Sequence, residues 1–200
     1  MLPTLLALAA CASAPAEQPA PGPPPEPIVA APAPRAPSTA PSPTVEAAVL
    51  AAKKYLGYPY AWGGRDTAKN PGIDCLGLLY LGFGEATGTP WRRYPVNPSQ
   101  LVGSGLLGGP VPGLDPVRRA ELDGSTLRRG DVLYLLIKGY EINDTPLWVD
   151  AQGARYWPWH TGLYLDEGRD LTLHASPSAG VTQQPLDEIA FDALFVTRFP

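Results

Sequence analysis

Gly57-Tyr58-Pro59-Tyr60-Ala61-Trp62-Gly63-Gly64, followed by Gly72-Ile73-Asp74-Cys75-Leu76-Gly77-Leu78, is the stretch that decides how this chain folds. The apolar run Leu76 to Phe83 reads as a helix, which puts Cys75 at or near a helix N-terminus. Unpaired backbone N–H groups and the positive end of the helix dipole favour an anion there. The thiolate, not the thiol, is the nucleophile, so this is a suitable place for thiol chemistry. The glycines ahead of it let backbone come close to a substrate. The chain has two histidines, His160 and His174, both downstream. One cysteine with distant histidines is the arrangement of a thiol hydrolase whose partners meet in space.

Working outward, Thr44 reads as the cap of a first helix, with Glu46 in its first turn and Val45, Ala48, Val49, Ala52 and Leu56 at helical spacing. Gly57 ends it. The second helix is expected from about Asp74 to Ala86, with Gly77, Gly82 and Gly84 allowing close packing against a sheet. Residues 88–123 are rich in Pro and Gly and read as a long loop. Arg128-Arg129-Gly130-Asp131 reads as a turn into a strand at 132–137, and 138–158 as irregular. Strands are expected again at 160–165, 171–175, 181–184 and 194–199, with a helical turn near 187–191. Helices first and hairpin-linked strands later imply an α+β domain with an antiparallel sheet. A three-residue hairpin loop, Asp166-Glu167-Gly168, would place His160 directly opposite His174. A one-residue slip would separate their faces.

Ahead of the domain, Ala12 to Pro43 is dominated by Pro and Ala and cannot bury enough surface to fold. The domain is therefore expected over 44–200. The short apolar run over residues 1–10 reads as a signal peptide rather than a membrane span. Leu8-Ala9-Ala10-Cys11 resembles the bacterial lipobox, which implies lipidation of Cys11 and makes residues 11–43 a tether. The net charge of −4 and the lack of any basic cluster argue against a nucleic-acid partner. A Cys11–Cys75 disulfide is the competing use of the two cysteines. A zinc site on Cys75, His160 and His174 is the competing use of those three, but no paired-ligand spacing supports it. No cofactor is expected. Tyr156, Trp148, Trp157 and Trp159 read either as an aromatic platform or as loop anchors.

Five blocks together resemble the NlpC family of cell-wall cysteine peptidases: 57–64, 74–78, 127–132, 160–165 and His174-Ala175-Ser176. They occur in the family's order and span most of 44–199. The resemblance implies a papain-like α+β core and cleavage of peptidoglycan stem peptides, often between γ-D-glutamate and meso-diaminopimelate. It implies Cys75 as nucleophile, His160 as general base and His174 as the residue orienting it. It also implies Tyr60 beside the nucleophile and Asp74 as a ligand for a stem-peptide amine. The implied location is the bacterial envelope, on the outer membrane facing the periplasm, because Ala12 rather than aspartate follows Cys11. Leu76 departs from the family's usual serine. A silent wall-binding scaffold and a related thiol acyltransferase or amidase are the alternatives.

Overall fold

The computed structural model describes residues 40–139, 145–167 and 170–200. The leader, Cys11 and nearly all of the expected tether lie outside these residues.

The first helix, α1 (Pro43–Lys53), starts two residues earlier than the sequence suggests. Ser42, not Thr44, is its cap: the Ser42 hydroxyl accepts the Val45 N–H at 3.4 Å, and Pro43 occupies the first turn, where no N–H is needed. The second helix, α2 (Cys75–Thr87), is bounded by Asp74 as N-cap and by Gly88 in the left-handed conformation. Its glycines serve α1 and neighbouring backbone rather than a sheet. A Cβ at Gly82 would lie 2.9 Å from the Ala48 carbonyl oxygen and 3.0 Å from Ala52 Cβ, so the two helices approach closely there.

The expected loop over 88–123 holds short regular elements: α3 (Pro98–Ser104), β1 (Gly109–Pro110) and β2 (Val117–Arg118). None is long enough to show a period in sequence. Asn97 caps α3, and Leu101 is its one fully buried residue. The sheet proper is built from β3 (Val132–Gly139), β5 (Arg155–Tyr164), β6 (Leu171–Ser176), β7 (Gly180–Pro185) and β8 (Ala193–Arg198). A short β4 (Trp148–Val149) pairs with β5, so 138–158 is less irregular than expected. The order is β1-β8-β3-β5-β6-β7, and its strand pairs are antiparallel. The α+β reading holds.

One face of the sheet packs on α1 and α2 through Leu163, Leu173, Tyr134 and Phe195 against Ala48, Leu79 and Phe83. Leu133, Leu135, Tyr164 and Val196 form a second core with Leu114 and Ile189. Leu76 is buried in the first core. The turn before β3 is fixed by charge: Asp131, nearly inaccessible, takes Arg198 through two contacts of 2.7 Å. Arg129 joins Glu46 on α1 to Glu167 in the β5–β6 loop.

The β5–β6 hairpin differs from the expected register. Leu163 pairs with Leu173 and Tyr164 with Thr172, and Leu165 N–H reaches the Leu171 carbonyl at 2.8 Å. Residues 166–170 therefore stand between the strands, two more than expected; Gly168 lies outside the described residues. The shift is by two positions, so both histidines keep a common face. His174 sits opposite Gly162 and diagonal to His160.

Candidate active site

The glycine-rich segment is tied to the start of α2 by backbone bonds. Tyr60 bridges Ile73, Ile73 N–H donates to the Pro59 carbonyl at 3.0 Å, and Asp74 N–H donates to Gly64 at 3.0 Å. Asp74 completes the connection. Its Oδ1 accepts the Gly77 N–H at 2.6 Å, and its Oδ2 accepts Gly63 N–H at 3.0 Å and faces Arg65 Nη2 at 3.5 Å. With 4 % of its surface exposed, this carboxylate is occupied by the protein's own groups. Arg65, unremarked in sequence, also lies over the Tyr80 ring.

Cys75 is the first residue of α2, half-buried and with a free thiol. Burial pushes the thiol pKa up, and Asp74 adds to this. Thr161, whose hydroxyl and backbone lie near the thiol without a hydroxyl hydrogen bond of ordinary geometry, and the Leu76 backbone pull it the other way. The helix start alone suggests an anion; the desolvation of the site outweighs it, so the unliganded thiol is neutral. Thr161 brings β5 against Cys75 one residue from His160. Tyr60 is close enough that the charges of Cys75 and Asp74 add to burial in raising its phenol pKa.

His160 and His174 are 5 % and 3 % exposed. His160 Nε2 lies 2.7 Å from His174 Nδ1, with the rings nearly perpendicular. Two local features allow this approach. Gly162 faces His174, and a Cβ there would sit 2.6 Å from Thr172 Cγ2 and 3.3 Å from His174 Cβ. Beside His160, pairing steps from Leu135↔His160 to Leu136↔Pro158, which leaves Trp159 as the extra residue of a β-bulge. Trp159 is 41 % exposed and its ring lies 5.1 Å from that of His160. The other aromatics of this region are anchors: Tyr156 and Trp157 are buried, and Trp148 stacks on Tyr156.

The chain belongs to the NlpC/P60 family. Residues 57–198 match the family, well over half the chain. The chain is 28% identical over 138 residues to a protein of Escherichia coli (strain K12) described as "Probable endopeptidase YafL". That match covers 68% of this chain but 41% of the relative, so the chain spans less than half the length of the curated relative it matches. Among solved structures, the NlpC/p60 domain of the peptidoglycan hydrolase SagA is 22% identical, with a TM-score of 0.44 over 78% of this chain and 98% of that one. A RipA structure is 21% identical, with a TM-score of 0.47 over 78% of this chain and 62% of that one.

Burial, followed by the neighbouring His174, pushes the pKa of His160 in this NlpC/P60 chain down to about 3. The native protein thus keeps the ring neutral where an unfolded chain begins to protonate near pH ~6.5. The stabilisation is complete above that pH and is lost progressively as pH falls toward the native value. Relative to a His160→Gln variant, the protein should lose ~2 kcal/mol between pH 7 and 5. Urea titrations at both pH values test this; equal losses in the two proteins would refute it.

Proposed function

We propose that this protein is a cysteine endopeptidase that cuts stem-peptide amide bonds in peptidoglycan, at the γ-D-glutamyl–meso-diaminopimelate bond. The observation that carries the reading is the 2.7 Å His160–His174 contact, buried and one residue from the Thr161 that touches a free thiol at a helix start. Family membership supports peptidoglycan as the substrate.

In this mechanism His160 takes the proton of the Cys75 thiol as the thiolate attacks the amide carbonyl. A neutral thiol and a neutral imidazole are the starting state, so charge separates only as the reaction begins. Backbone N–H groups at the start of α2 and the Tyr60 hydroxyl stabilise the oxyanion. His160 then protonates the leaving amine, and water activated by the same ring releases the acyl group. His174 holds the orientation and tautomer of His160. Asp74 acts on the reaction through the geometry of the loop and the helix start. Leu76, buried in the core, leaves the cleft without the serine usual at that position. Lipidation at Cys11, a 12–43 tether and an outer-membrane location facing the periplasm complete the proposal, on the Leu8-Ala9-Ala10-Cys11 sequence alone.

The test is incubation with disaccharide tri- and tetrapeptides, with and without prior iodoacetamide, reading products by mass spectrometry. Fragments ending in γ-D-glutamate, absent after alkylation, are expected. Cleavage that survives complete alkylation, or none by the folded protein, would overturn the reading.

A further inference from the structure

A neutral histidine pair can share its bridging proton in two ways, and only one leaves His160 able to act as a base. If His160 Nε2–H donates to His174 Nδ1, His160 Nδ1 carries a lone pair and can accept a thiol proton. If His174 Nδ1–H donates instead, His160 Nδ1 carries the hydrogen and cannot. The choice therefore lies at the far nitrogen of His174. A proton on His174 Nε2 leaves Nδ1 as acceptor; a lone pair on Nε2 does the opposite.

His174 Nε2 is buried and has no hydrogen bond of ordinary geometry. Orphaned buried ring nitrogens are costly, so whatever lies beside this one decides its state. On β7, Thr182 pairs with His174 and Gln184 with Thr172. Gln184 thus lies two residues along from the partner of His174, on the same face. Its amide interacts with the His174 ring in the sense that favours protonation, as an acceptor would. The orientation of that amide is fixed from its other side: Gln184 Nε2 donates at 3.3 Å to the carbonyl of Glu188, the last residue of the turn Leu186–Glu188. A carbonyl can only accept, so the NH2 end of the amide is committed to Glu188 and the oxygen is the end left for His174.

We propose that Gln184 is a positioning residue which, oriented by the Glu188 carbonyl, holds the proton on His174 Nε2 and thereby sets His160 as the base. The inference rests on the catalytic reading of Cys75, His160 and His174. It adds a fourth member to that chain, supplied by a strand that sequence motifs do not mark.

The two histidines are the chain's only ones, so ¹⁵N-histidine labelling of the full chain gives two separable ring patterns. Long-range ¹H–¹⁵N spectra read which nitrogen of each ring is protonated, independently of activity. Wild type should show Nε2–H on both rings. Gln184→Leu should convert a measurable fraction to Nδ1–H and lower kcat by about tenfold or more at unchanged KM. Gln184→Glu keeps an acceptor at the site and should restore the Nε2–H pattern; because its charge favours imidazolium, its kcat–pH profile should shift upward. If Gln184→Leu misfolds by thermal melt, Gln184→Met takes its place. Both rings remaining Nε2–H without the amide, or kcat within about twofold of wild type, would overturn the proposal. A wild type with the expected tautomers but no hydrolysis would sink the catalytic reading and leave the role of Gln184 on the ring standing.

Discussion

Replacing Cys75 with alanine should abolish hydrolysis while leaving the fold intact. The side chain is half-buried and the change removes one sulfur atom, so the stability cost should stay near ~1 kcal/mol. Activity should fall by at least about 10⁴-fold, because no other described cysteine can form the acyl intermediate. His160→Ala should be comparably severe, since a thiol that burial keeps neutral needs a base to become a nucleophile. The two residues act as a unit, so the double variant should be no slower than the worse single variant. Initial rates on purified muropeptides, with circular-dichroism melts of each variant, measure this. A Cys75→Ala protein retaining more than about 1 % of wild-type rate would eliminate the thiol mechanism.

The second large effect concerns a glycine where helix propensity predicts the wrong sign. Gly77 lies inside α2, where glycine to alanine ordinarily stabilises by ~1 kcal/mol. Here a Cβ would collide with the Gly64 carbonyl oxygen and come within 3.2 Å of Asp74 Oδ1. Backbone cannot rotate away as a side chain can. The added methyl must push the glycine loop off the start of α2, breaking the Asp74 N–H to Gly64 bond and tilting Cys75. Gly77→Ala should therefore destabilise by at least ~3 kcal/mol, or about 6–12 °C in Tm. Gly103→Ala is the control: it lies in α3 with open space around its Cβ position and should stabilise slightly. Equal melting temperatures for Gly77→Ala and wild type would show that the loop does not bear on the helix start.

Asp74 and Cys75 illustrate how much could be read locally. The apolar run from Leu76 predicts a helix from about Asp74 with Cys75 at its start, and α2 begins at Cys75 with Asp74 as its cap. Likewise the strands from 132 onward follow from short apolar runs bounded by turn residues. Capping moved from Thr44 to Ser42 because either hydroxyl could serve and the position of Pro43 favours the earlier one. The short elements within 88–123 were illegible because two- and seven-residue segments carry no period.

The amino-acid sequence by itself determined the α+β class, the thiol at a helix start and the two histidines on neighbouring strands. These depend on residues adjacent in the chain. Tertiary structure alone decided the hairpin register, since pairings two positions apart preserve the same faces and look alike in sequence. It decided the bulge at Trp159, the commitment of Asp74 to Gly63, Gly77 and Arg65, and the neutral state of Cys75 and His160. Each of these depends on desolvation and on partners distant in the chain, which only the folded molecule brings together.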